Sequence, residues 1–184
     1  IRGETIDPKN DNSSNQLESA EALFKSLGDI EYSITLDDDI KESDILIVDA
    51  AAGGADSTLD FVGASDQVLI VVEGEPTSIM DAYALVKAAH LERNVKNFSI
   101  FINKANSEVE AKQNFKVFQK VVDNHLDARV HFCGYLPMSP ILKKAVIMKK
   151  PVMIHNQKSK EGIAFQKLAG VMLKAAINKP QAVS

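Results

Sequence analysis

The chain has 184 residues, 45% of them hydrophobic, and a formal net charge of −4. That is enough chain for one ordinary globular domain with a real core. The single cysteine, Cys133, excludes a disulfide framework and points to a reducing compartment, no apolar run approaches the length of a membrane span, and no signal peptide is visible. These features imply a cytoplasmic protein. The chain opens at Ile1 rather than Met, so its natural start is expected to lie upstream or to have been removed. Charge is unevenly spread: residues 1–44 hold 12 acids and 4 bases, whereas residues 141–184 hold 9 lysines and one acid, Glu161. Such an asymmetry fits either a polyanionic or membrane-surface contact near the C-terminus or a solvated lysine face on two helices.

Residues 1–16 are polar and predict a flexible segment. Gln16 to Leu27 has helical spacing, with Leu17, Ala20, Leu23, Phe24 and Leu27 on one face and Gly28 as a stop. Ile30 to Leu36 alternates as a strand, and Asp37-Asp38-Asp39 reads as a solvated turn without the Gly and distal Glu of a calcium loop.

The stretch Asp44 to Val62, DILIVDAAAGGADSTLDFV, carries the most information. Ile45 to Val48 has the look of a parallel strand buried on both faces, ending on Asp49. The small-residue turn Ala50 to Ala55 follows, and then a helix from about Ser57 to Gly63. An acid at the carboxyl end of such a strand sits where open α/β sheets bind ligands, and a turn of Ala and Gly lets backbone N–H groups approach an anion. The same residues also fit an Asp that caps its own loop beside glycines that only make the turn.

Gln67 to Val72 predicts a second buried strand, followed by Glu73-Gly74-Glu75-Pro76. The next helix is expected from Thr77 or Ser78, with Ser78-x-x-Asp81 at capping-box spacing and Ile79, Ala82, Tyr83, Val86 and Ala89 inward. Phe98 to Ile102 predicts a third strand ending at Asn103-Lys104, and Ser107-x-x-Glu110 opens a helix that buries Ala111, Phe115, Phe118 and Val122. His131 to Leu136 is the fourth strand, running into Pro137. Ser139-Pro140 caps a helix to about Lys149, whose KKAVIMKK apolar face is expected to pack inward. Pro151 to Ile154 reads as a short extended piece. The last helix, Lys160 to Ile177, should turn Phe165, Leu168, Val171, Met172 and Ala175 inward. Strands alternating with helices imply right-handed crossovers and a mostly parallel sheet, in one α/β domain over 17–184. The polar groups at the strand ends, Asp49 and Asn103, and the Pro137 turn would then share one rim.

DILIVDAAAG resembles the Asp-x-x-Ala-Gly segment of MinD/ParA-type P-loop ATPases. GASDQVLIVVEGEPTSIMDAYALVK, FINKANSEVEA and GYLPMSPILKKAVIMKKPVMI resemble the FlhG/FleN branch, which regulates flagellar number and placement. The resemblance runs from about Asp44 to Leu173, and EPTSIMDAYALVK is its most specific piece. It implies a P-loop NTPase architecture, ATP and magnesium as cofactors, an ATP-dependent homodimer and a protein partner in a flagellar or positioning system. It implies that Asp49 holds magnesium through water and serves catalysis. Gly53 would offer its N–H to the γ-phosphate, Asn103 would read the adenine edge, and Pro137, Met138 and Ser139 would wall adenine and ribose. Glu75, Ser78 and Asp81 would lie at a dimer or partner surface. Simpler roles stand beside these: Asn103 as a strand-end cap, Pro137 as punctuation before a helix.

The chain departs from the family in two places. Acids usually follow the proline, where this chain has Met138 and Ser139, and it contains no Gly-Lys pair, so no Walker-type phosphate cradle is recognisable. Residues 1–43 do not match the family. The chain is expected to be either a C-terminal piece of an ATPase, with the N-terminal part of the fold incomplete or divergent, or a non-hydrolysing adaptor that keeps the fold without the P-loop. A peripheral membrane or DNA contact through Lys143, Lys144, Lys149, Lys150, Lys167 and Lys174 is a third expectation. His90, His125, His131 and His155 have neither a nucleophile turn nor metal-site spacing beside them, and Cys133 lies inside an apolar strand as a small core residue.

Overall fold

The computed structural model describes residues 45–51 and 54–177. The predicted helix at Gln16–Leu27, the strand at Ile30–Leu36, the Asp37–Asp39 turn and Gly53 lie outside the described residues. The chain divides into two compact units, 1–64 and 65–184.

In the first unit, Ile45–Val48 is not a strand. Residues 45–51 carry no regular structure, and Leu46 and Ile47 are 62% and 85% exposed. An apolar run makes burial favourable, but a strand also needs a neighbour to take its N–H and C=O groups. Among the described residues no strand pairs with this run. Helix α1, Asp56–Ala64, follows with an acid in its first turn, where it favours the helix dipole. Thr58 Oγ1 donates to the Ala51 carbonyl at 3.3 Å, and Thr58, Leu59 and Val62 are buried.

The second unit is a parallel α/β layer. Strands β1 (Leu69–Glu73), β2 (Asn97–Ala105) and β3 (Arg129–Pro137) form a sheet of order β1-β2-β3, joined by helices α2 (Pro76–Arg93) and α3 (Glu108–His125). Both strand pairs are parallel, which requires a crossover helix between each. Right-handed crossovers put α2 and α3 on the same face, and the two helices touch each other there. Between sheet and helices lies the core: Ile70 and Val72 of β1, Phe98, Ile100 and Ile102 of β2, Val86 and Ala89 of α2, and Ala111, Phe118 and Val122 of α3. Phe115 and Phe132 add a tilted ring pair at 5.4 Å.

The register of β2 with β3 is interrupted twice: Ile100 faces Phe132 but Phe101 faces Gly134, and Ile102 faces Tyr135 but Ala105 faces Pro137. Gly134 has φ +122, a conformation that favours glycine, and it lies in contact with the Phe101 ring. Cys133 beside it is buried.

After β3 come α4 (Pro140–Ile147), α5 (Val152–His155) and α6 (Lys160–Ile177). Helix α6 has the bounds its periodicity predicts and packs on β3. It also meets the start of β1, where Gln67 Nε2 donates to the Met172 carbonyl at 3.3 Å. Three expectations are corrected here. Val171 and Ala175 of α6 are exposed rather than inward. Pro151–Ile154 is not extended, because Pro151 caps one helical turn whose Val152 is buried. No residue of α4 is buried, and Val146 and Ile147 are 77% and 72% exposed, since one eight-residue helix flanked by lysines has little packed against it.

Candidate functional site

The carboxyl ends of the three parallel strands form one rim, the place where open α/β sheets bind ligands. Register sets its order. Glu73, the last residue of β1, lies directly beside Asn103 of β2, and Ala105 lies beside Pro137 at the end of β3. Met138 N–H donates to the Ala105 carbonyl at 3.1 Å, which carries the pairing past Pro137. The rim therefore carries Asn103 and the Pro137 turn, as the strand pattern predicts, with Met138 and Ser139 directly after Pro137; Asp49, expected at a strand end as well, follows a run that is not a strand. Met138 is 63% exposed, leaving an apolar surface on the same sheet edge as Asn103.

Polar contacts fix the first half of the rim. Glu73 Oε1 meets Lys104 Nζ at 2.7 Å and accepts from Asn103 Nδ2 at 3.4 Å. Asn103 Oδ1 accepts from the Lys104 backbone N–H at 3.0 Å. Lys104 adopts φ 55 inside β2, where the register with β3 is interrupted between Ile102 and Ala105. The hydrogen bond to Glu73, reinforced by its charge, raises the Lys104 pKa, with a smaller contribution from Glu75. The pair is solvent-facing, so its attraction is screened.

The start of α2 differs from its predicted form. The helix begins at Pro76, with Glu75 as N-cap and no side-chain cap. Proline at the first helical position needs no N–H partner and pulls the start ahead of Ser78. Ser78 is thereby free of capping, and its hydroxyl accepts from the Glu73 N–H at 2.9 Å, tying the strand end to the helix. Glu75 and Asp81 are exposed on the same helix start, and Ser78 is half-buried. Gly74 lies tight against α3: a Cβ there would overlap the Asn114 side-chain amide.

The second half of the rim is built by capping. Ser139 is the N-cap of α4 and accepts from the Ile141 N–H at 3.1 Å, with Pro140 at the first helical position. Its hydroxyl also bonds Glu161 of α6, and this contact leads the causes that hold the Glu161 carboxyl below its ordinary range; burial opposes it. Glu161 is 5% exposed, and its Oε2 has no hydrogen-bond partner among the described residues. Sequence reasoning missed Glu161 as a site residue, although the lone acid in a segment of nine lysines was a signal. It also passed over Glu73 and Lys104. Ser107 caps α3 as predicted, accepting from Glu110 N–H at 3.1 Å, while the Glu110 carboxylate reaches back to the Asn106 N–H.

Asp49 belongs to the first unit and is exposed. Among the described residues no three His, Cys, Asp or Glu side chains form a metal cluster. Magnesium keeps several waters and takes one or two carboxylates with substrate phosphates. Asp49 is a single exposed carboxylate, of the kind such a set would take. No described helix is long and apolar enough to cross a membrane.

No family model matches the chain. It is 39% identical over 126 residues to the antiactivator FleN of Pseudomonas aeruginosa, a match covering 68% of this chain and 45% of that protein. It is 31% identical over 108 residues to the flagellum site-determining protein YlxH of Helicobacter pylori, covering 58% of this chain and 36% of that protein. The chain thus spans less than half the length of the curated relatives it matches. The second relative's name is flagellar, and the EPTSIMDAYALVK and FINKANSEVEA segments lie on the elements that frame the rim. The chain belongs to the FlhG/FleN-like branch of the MinD/ParA family.

Proposed function

We propose that this chain is the base-binding part of a regulator of flagellar number or placement that works as an ATP-dependent switch. One observation carries the reading: the Asn103 amide is held against the Glu73–Lys104 pair on the sheet edge that also carries Pro137, the exposed Met138 and Ser139. An amide both donates and accepts, as an adenine edge requires, and Met138 offers an apolar surface for the ring. Magnesium and the triphosphate, when bound, supply the hydrolytic chemistry, with Asp49 as the carboxylate for the metal and Gly53 as a γ-phosphate contact. Glu75, Ser78 and Asp81 mark the surface for a second copy or a flagellar protein partner, in keeping with the names of the two relatives. In the full-length protein, Asn103→Ala is expected to weaken ATP binding about tenfold, and Asp49→Ala to abolish magnesium-dependent hydrolysis while leaving the fold intact. Unchanged ATP affinity in the first variant would end the base-binding assignment.

A second reading rests on a different observation. Val146, Ile147 and Met148 are exposed between Lys143–Lys144 and Lys149–Lys150. An apolar strip framed by cations suits an anionic membrane surface, which rewards both features, better than DNA, which rewards charge alone. A chain acting as a non-hydrolysing adaptor would use this surface. Sedimentation with phosphatidylserine vesicles that persists at 0.5 M salt would support it, and loss of binding at that salt would leave only electrostatics.

A further inference from the structure

The Asn103 amide has both of its ends assigned by chemistry. Its Nδ2 faces Glu73 Oε1 at 3.4 Å, and its Oδ1 faces the Lys104 backbone N–H at 3.0 Å. A carboxylate can only accept and a backbone N–H can only donate. Turning the amide over would set oxygen against oxygen and N–H against N–H, replacing two hydrogen bonds by two repulsions. Glu73 is itself held: its carboxylate meets Lys104 Nζ at 2.7 Å, and its N–H is tied to Ser78 Oγ at 2.9 Å. The strand register then fixes Glu73 beside Asn103.

We propose that Glu73 is a positioning residue that locks the Asn103 amide in one orientation and so sets adenine-over-guanine selectivity. The inference rests on the reading that Asn103 contacts the base. With one N–H spent on Glu73 and one lone pair on Lys104, the amide offers one acceptor site on Oδ1 and one donor on Nδ2. On its Watson–Crick edge adenine presents a matching pair, the N6 amino donor beside the N1 acceptor; guanine presents the reverse pair there, the O6 acceptor beside the N1–H donor. A locked Oδ1 therefore repels guanine O6. An amide free to turn over would place Nδ2 toward O6 and Oδ1 toward N1–H, and so accept guanine.

The test is a titration of ATP and GTP into the full-length protein and into Asn103→Ala, Glu73→Ala and Glu73→Gln variants. Wild type is expected to prefer ATP. Glu73→Ala is expected to cut the ATP-to-GTP affinity ratio about tenfold, by weakening ATP and strengthening GTP together. A purely structural role would weaken both nucleotides alike. Glu73→Gln keeps an accepting oxygen and should restore part of the ratio. If Glu73→Ala does not fold, Glu73→Thr, suited to a strand and too short to reach Asn103, carries the same expectation. If the ratio survives in Asn103→Ala, the base-reading assignment itself fails. If Asn103→Ala loses the ratio while the Glu73 variants keep it, or weaken both nucleotides equally, the positioning role is overturned and base reading stands.

Discussion

Two apolar runs in this chain have nearly the same composition and opposite fates. Ile45–Val48 reads ILIV, lies without regular structure and is exposed; Leu69–Val72 reads LIVV, pairs residue by residue with β2, and buries Ile70 and Val72. The hydrophobic gain is similar for both sequences, at about 25 cal/mol per Å² of apolar surface removed from water. What differs is the neighbour. β1 finds β2 through the α2 crossover, so its backbone groups are satisfied and its side chains meet α2. The four-residue run ahead of Asp49 has no such partner among the described residues. An apolar tetrapeptide is thus a candidate strand, and a paired strand 30 residues away makes it one.

Substitution should separate the two regions most sharply in the core. Phe118→Ala removes a fully buried ring between α3 and the sheet and is expected to cost about 3–5 kcal/mol. Ile47→Ser, at an 85% exposed position, should stay within about 0.5 kcal/mol. Urea unfolding of the two variants measures both, and equal losses would break the contrast.

A smaller effect is expected at Gly162 in α6. A Cβ there would overlap the carbonyl oxygens of Asn156 and Gln157, which are backbone and cannot swing aside. Gly162→Ala should therefore cost about 1–3 kcal/mol, against the small gain normally expected for that change in a helix. A more stable Gly162→Ala protein would show that the approach of α5 to α6 is looser than described. Ser139→Ala, which removes the cap of α4, should cost about 1 kcal/mol and sharpen the comparison by showing that the rim is held by local hydrogen bonds rather than by burial.

The weakest effect is a pH dependence. The Glu161 pKa is lowered in the folded chain from its ordinary value of 4.5, first by the Ser139 hydroxyl. A depressed carboxyl contributes stability that is present above the unfolded-state value and disappears as pH falls through the folded-state value. Wild type should lose stability with acid below about pH 4.5 more steeply than Glu161→Gln. Parallel curves would show that Glu161 does not gain from its contacts.

Much of the second unit was legible in the sequence because its signals are local. Apolar runs spaced by helical patterns gave three parallel strands and their crossovers. Ser139-Pro140 and Ser107 gave the starts of α4 and α3, and the periodicity of Lys160–Ile177 gave α6 whole. The failures share a cause. Glu73 and Asn103 are 30 residues apart and meet only through strand register, so no spacing rule could pair them. Ser78 had capping-box spacing, but Pro76 starts the helix earlier and the hydroxyl serves β1 instead. Glu161 reaches the rim from α6 through Ser139. The inward face expected for KKAVIMKK needed a packing partner that periodicity alone does not supply.

The most direct measurement is an ¹⁵N–¹H spectrum of the 184-residue chain titrated with ATP. Shifts are expected at the Asn103 side-chain amide and at the Lys104, Met138 and Ser139 backbone amides, with the core amides of Ile70 and Val86 unmoved. Shifts confined to the α4 lysines, or none at millimolar ATP, would contradict a base-binding rim.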